Sequence, residues 1–154
     1  MHIKQTISNP SSCHTQALLN CIYQGCQMGM VSLHRMAGET SCPRTREVLL
    51  QLAREHRRIM SQAADQLLPY RTAPRDLTPW AQLASDLCTR FIGGSSQPRR
   101  KLAGKLQAGA RQGIRSLNAC LQRCPHAAPS SRRLAAELMR LERQALRESR
   151  QLFD

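Results

Sequence analysis

A nine-residue pattern occurs twice in this chain, and the recurrence restricts the fold more than any other stretch of sequence. Residues 25–33 and 109–117 both read Gly-x-x-x-Gly-x-x-Ser-Leu, the first copy carrying Gly25 and Gly29, the second Gly109 and Gly113. Each copy runs on to a Cys-Pro link, Cys42-Pro43 or Cys124-Pro125, and then to another amphipathic stretch. A glycine inside a helix costs about 1 kcal/mol relative to alanine. Four of them therefore require a compensating contact, and small residues one turn apart supply one by letting two helices approach closely. The chain is expected to be a helical hairpin built twice.

Apolar residues at three- and four-residue steps define four long helices. The first should begin near His14, carry Leu19, Ile22, Cys26, Gly29, Met30, Leu33 and Met36 inward, and stop near Gly38. Asn9-Pro10-Ser11-Ser12 reads as a turn, so residues 1–13 are expected to be a flexible leader to a single domain over 14–154. Pro43 opens a second helix with Leu49, Leu52, His56, Ile59, Met60, Ala63 and Leu67 inward, and Pro69 ends it. Residues 70–96 form a long crossover with a short helix expected from Trp80 to Ile92. Pro98 opens a third helix with Leu102, Leu106, Gly109, Gly113, Leu117, Cys120 and Cys124 on one stripe. After Pro125 and a serine cap at Ser130-Ser131, Leu134, Leu138, Leu141, Ala145 and Leu152 mark the fourth. Two tight links and one long connection give hairpins over 14–69 and 97–153, the connectivity of a ferritin-like rather than a simple up-down bundle.

Composition agrees with an all-α, aliphatic core: hydrophobic residues make up 41% of the chain but aromatics only 3%, a balance that suits helices better than sheets. The seven cysteines have no CxxC spacing, and no run reaches the roughly 18 apolar residues of a membrane span. They are expected to be thiols of a protein in the reducing cytoplasm.

The stretch Leu19-Asn20-Cys21-Ile22-Tyr23-Gln24-Gly25-Cys26-Gln27-Met28-Gly29 resembles an uncharacterised bacterial family of small ferritin-like four-helix-bundle proteins, a domain of unknown function. The likeness continues through Leu67 and returns from Gln107 through Ile114 into the last helix, about two thirds of the chain in all, on motifs that specify packing rather than chemistry. Many ferritin-like proteins hold two metal ions with a carboxylate inside helices one and three and a Glu-x-x-His on helices two and four. Here the first helix has no acid before Glu39, residues 97–124 have none, and no glutamate is followed three residues later by histidine. The resemblance implies the bundle; the ligand set it would need for metal is missing, and neither metal nor cofactor is expected.

No Ser-His-Asp constellation, phosphate loop or paired carboxylates can be placed, so an enzyme is not expected. His56, on the inward stripe, reads first as a structural histidine; Cys120, Cys124 and His126 lack a recognised zinc spacing. Cys42 and Cys124, each before a proline and near arginines, are the candidate reactive thiols. The formal net charge of +13, from 23 Lys+Arg against 10 Asp+Glu, makes Arg54, Arg57, Arg58, Arg99, Arg100, Lys101 and Lys105 candidates for polyanion binding. The leading expectation is a non-enzymatic helical-bundle interaction or structural module, joined to an unknown protein partner or to itself. A basic protein binding nucleic acid without sequence specificity comes second, and a degenerate ferritin-like stress or metal-handling protein third.

Overall fold

The computed structural model describes residues 9–76 and 98–152. Among these the regular elements are all helical: α1 (Pro10–Glu39), α2 (Pro43–Leu67), a 3-10 turn (Leu68–Tyr70), α3 (Pro98–Arg123) and α4 (Pro129–Gln151). The short helix expected from Trp80 to Ile92 lies outside the described residues. Each long helix opens on a proline, where a missing N–H breaks no intrahelical bond and the fixed φ already suits the helix. The first begins at Pro10, not near His14, because the Asn9 side chain accepts the Ser11 N–H at 3.2 Å and caps the helix at residues expected to be a leader. The expected serine cap of α4 is also corrected. Ala128 is the cap residue, and Ser131 turns inward, fully buried, to donate to the Ala128 carbonyl at 2.7 Å.

The helices form a four-helix bundle in which α1 packs on α2 and α3, and α4 packs on α3 and α2. Contacts at the two ends fix the directions. Lys105, early in α3, donates to Glu39 at the end of α1 (3.0 Å). The His126 N–H, just after α3, donates to His14 Nδ1 near the start of α1 (3.0 Å), and the two rings stack. Hence α3 runs antiparallel to α1 and parallel to α2, and α2 ends at the opposite end of the bundle from where α3 begins. The chain leaving α2 turns at Arg71, in a left-handed conformation (φ 55°), and climbs along α1, where Arg75 N–H donates to Asn20 and Gln27 meets Asp76.

The repeat extends through most of the core. Aligned on the glycines, buried α1 residues match buried α3 residues: Leu18 with Leu102, Ile22 with Leu106, Cys26 with Ala110, Leu33 with Leu117, Met36 with Cys120. Aligned on their opening prolines, α2 and α4 match likewise: Thr45 with Ser131, Leu52 with Leu138, His56 with Glu142, Ala63 with Ser149. Even the link clasps correspond. Arg46 donates to the carbonyls of Ala37 and Thr40, and Arg132, at the equivalent place in α4, to those of Cys124, Pro125 and Ala127. Two equivalent hairpins thus face each other across a pseudo-twofold axis passing between His56 and Glu142.

The four glycines do not share one role. A Cβ at Gly109 or Gly104 would meet nothing within 4 Å, and one at Gly25 would touch only Leu138 at 3.9 Å. At Gly29 it would lie 2.7 Å from His56 Cδ2, and at Gly113 2.7 Å from Glu142 Oε1. The expectation of four packing glycines is therefore corrected to two, the second of each pair. What they admit is a polar side chain from α2 or α4, not a neighbouring backbone.

This difference predicts opposite effects of alanine. Gly109→Ala should stabilise by roughly 0.5–1 kcal/mol through helix propensity alone, whereas Gly29→Ala should destabilise by about 1–3 kcal/mol because the imidazole must be displaced. Gly113→Ala should lose less, since the tip of a glutamate can rotate away. Urea unfolding midpoints at constant slope measure all three.

Candidate functional site

His56 and Glu142 meet at the centre of the bundle, both almost wholly removed from solvent. His56 sits midway along α2, where a four-residue return lets Nδ1 reach the Leu52 carbonyl at 2.8 Å. A carbonyl only accepts, so Nδ1 carries a proton. Nε2 lies 3.2 Å from Glu142 Oε1. With Nδ1 already protonated, that contact also needs a proton, and the arrangement that satisfies both atoms is an imidazolium beside a carboxylate, neutral as a unit. Burial works against the imidazolium, but the hydrogen bond and charge of Glu142, with the Leu52 carbonyl and Glu55, outweigh it and hold the His56 pKa above its ordinary 6.5.

The pair's surroundings are otherwise apolar. Cys26 of α1 lies close, its thiol pushed well above the ordinary range by burial and then by the Glu142 carboxylate, so it is a packing group rather than a nucleophile. The donor set does not fit the metal pair that the ferritin-like resemblance brings to mind. Glycines Gly29 and Gly113 occupy the facing positions of α1 and α3, His56 has one nitrogen committed to a carbonyl, and no group of three ligating side chains converges among the described residues. His126, considered with Cys120 and Cys124, instead stacks on His14.

The two candidate thiols fare differently. Cys42 caps α2, and hydrogen bonds from the Thr45 side chain and backbone N–H hold its pKa below the ordinary thiol value. Cys124 was expected to be exposed but is buried, and burial followed by neighbouring Cys120 raises its pKa. The reason is that the α3–α4 link folds inward over α1, where Ala128 N–H donates to Thr15 Oγ1 at 2.8 Å. Cys21, half-buried on α1, has its pKa lowered by neighbouring Cys120 and then by Arg123 despite partial burial.

The candidate cations also divide. Lys105 is buried against Glu39, Arg54 pairs with Glu47 at 2.8 Å, and Arg58 is held by Glu55 and Glu137. Of these three, Lys105 is withdrawn from the surface, while Arg54 and Arg58 stay exposed in surface ion pairs. Arg57, Arg99, Arg100 and Lys101 are exposed. Arg99 and Lys101 line, with Cys42 and Thr45, a cleft of about 460 Å³ at the head of α2.

Compared with protein-family models, curated proteins and solved structures, the chain matches none.

Glu142 escaped sequence reading because α4 has three glutamates and nothing singles one out until the opening prolines are superposed. Counting from Pro43 and from Pro129, the prolines that open α2 and α4 in the structure, puts His56 and Glu142 at the same place, separated by 86 residues.

Because the folded pKa of His56 exceeds 6.5, its contribution to stability is complete below about pH 6.5 and is lost as pH rises through the folded value. Thermal melts from pH 6 upward should fall for the natural chain and run flatter for His56→Gln. Removing one partner alone, Glu142→Ala, should cost about 3–5 kcal/mol, more than the double replacement His56→Leu with Glu142→Leu, which leaves no orphaned charge. A double replacement that costs more than Glu142→Ala alone would contradict this account of the pair.

Proposed function

We propose that this chain is a non-enzymatic helical-bundle interaction module that docks on a polyanionic partner through the outer surface of its second hairpin. The observation that carries the reading is a charge difference between two hairpins of equivalent core. Residues 98–151 hold 13 Lys+Arg and 3 Asp+Glu, whereas residues 10–67 hold 6 and 4. The first hairpin demonstrates that this fold needs no such excess, so the excess on the second answers to something outside the fold. In α3 the seven cations, Arg99, Arg100, Lys101, Lys105, Arg111, Arg115 and Arg123, are accompanied by no acid at all, and all but Lys105 are exposed.

Self-association through an apolar face has less support, because among the described residues only Val31 and Leu68 are large hydrophobic side chains left exposed. Nucleic acid fits the cationic surface as a backbone-directed ligand, since phosphates are neutralised by arginines without sequence readout. The antiparallel hairpins, with α2 and α3 parallel and joined end to opposite end, support the ferritin-like connectivity. The metal chemistry of that class is not part of the proposal, for the centre offers one imidazole and one carboxylate that satisfy each other.

The test is retention of a duplex DNA fragment of arbitrary sequence over a salt gradient. The natural chain should bind and be released as salt rises, and Arg111→Glu with Arg115→Glu should weaken binding and flatten the salt slope by about one unit per lost phosphate contact. The matching change on the first hairpin, Arg44→Glu with Arg57→Glu, should do much less. Equal losses from both double variants, or no retention of DNA or of polyglutamate by the natural chain, would defeat the reading. Sedimentation showing salt-insensitive oligomers would restore the apolar self-association it displaces.

A further inference from the structure

Three thiols gather where α1 crosses the last turns of α3, at some distance along the bundle from the His56 and Glu142 pair. Cys21 of α1 neighbours Cys120 of α3, which lies one turn before Cys124, and the three thiols influence one another's ionisation. Cys120 Sγ also lies 4.0 Å from the Ala17 carbonyl. Ala17 and Cys21 are one helical turn apart, so the Cys120 side chain is seated over the turn of α1 that Cys21 closes. The three are not equivalent: Cys21 is half-buried and within reach of solvent, while Cys120 and Cys124 are buried. The Arg123 guanidinium is close enough to favour the thiolate form at Cys21 and Cys120.

We propose that Cys21 and Cys120 form a peroxide-responsive dithiol, in which Cys21 is the attacking sulfur and Cys120 the resolving one. Cys21 is the thiol of the cluster that solvent and peroxide can reach, and neighbouring Cys120 and Arg123 favour its thiolate; the thiolate is the nucleophile in peroxide chemistry. It attacks one oxygen of hydrogen peroxide, the O–O bond breaks, and hydroxide leaves and takes up a proton to give water, with Cys21 now a sulfenic acid. The Cys120 sulfur then attacks the Cys21 sulfur, the S–O bond breaks, and the departing hydroxide takes the Cys120 proton as a second water. Two thiols are oxidised to one disulfide and one peroxide is reduced to two waters. The product ties α1 to α3, one hairpin to the other, by a bond that a thiol reductant reverses.

Among the described residues, neither of the other half-exposed or exposed cysteines has such a partner. Cys13 and Cys42 are outside the cluster, and Cys42, although its pKa is low, has Thr45 and not a second thiol as its hydrogen-bonding neighbour. Oxidation there would stop at sulfenic acid or join two molecules. The cluster thus differs from a generally reactive surface thiol by having its resolving sulfur in place.

The experiment uses the reduced full chain and a small excess of hydrogen peroxide, quenched with an alkylating agent and mapped as non-reduced peptides. The first product should be an intramolecular Cys21–Cys120 link, formed at the same rate in Cys42→Ser and removed by dithiothreitol. Cys120→Ser should abolish the link and leave Cys21 trappable by dimedone, and Cys21→Ser should leave Cys120 alkylated only after unfolding. The oxidised natural chain should also unfold at higher urea than the reduced one, since the link constrains the unfolded chain. First oxidation at Cys13 or Cys42 with Cys21 still alkylated, or sulfenic acid at Cys21 that persists in the natural chain, would overturn the proposal, and neither variant need fold for the natural chain to give that answer.

Discussion

The fold is organised about a single contact, the hydrogen bond between His56 Nε2 and Glu142 Oε1 at the pseudo-twofold axis. A charge brought into an apolar interior is tolerated when a partner of opposite sign and satisfied hydrogen bonds accompany it. The Leu52 carbonyl completes the requirement on the histidine side. Space completes it on the other. Gly29 and Gly113 are the two places where α1 and α3 give up a side chain so that α2 and α4 can insert one. Any slip of one hairpin against the other separates imidazole from carboxylate and sets both against apolar groups or a glycine face that no longer matches. The pair thus specifies register between the hairpins more than it adds to their stability, the role in which buried ionic groups are best attested.

Internal symmetry supplies an unusual comparison within one chain. Buried positions, opening prolines, link-clasping arginines and close-packed glycines correspond between the halves, and the symmetry is broken in three places. At the axis, equivalent positions hold a histidine and a glutamate, which a symmetric pair of either residue could not replace without repulsion or an unsatisfied proton. On the surface, cations crowd the second hairpin. Among the thiols, Cys120 corresponds to Met36, so the cluster at the α1–α3 crossing exists only at one end of the bundle. The first break serves the fold, since the histidine and glutamate satisfy each other at the axis; the surface charge and the thiols do not take part in that contact.

The charge and the thiols are physically linked through Arg123, which belongs to the cationic α3 and also stabilises the Cys21 thiolate. The axis pair belongs instead to the buried core.

Periodicity alone determined the helices and their inward faces, because burial of one face every three or four residues is a local property of the chain, whereas the starts at Pro10 and Pro129 emerged only from the structure. The repeat determined that the hairpin occurs twice. What only the tertiary structure decided was which polar residue on an inward stripe had a partner. His56 was legible as buried, but Glu142 is one of three glutamates on α4, and its selection depends on the rotation of α4 about its own axis once α2 and α3 are packed against it. The same holds for the glycines, four alike in sequence and two alike in space, and for Cys124, which looks exposed beside a proline until the link folds over α1. Local spacing encodes which face turns inward; the identity of the atom met there is set by helices distant in sequence.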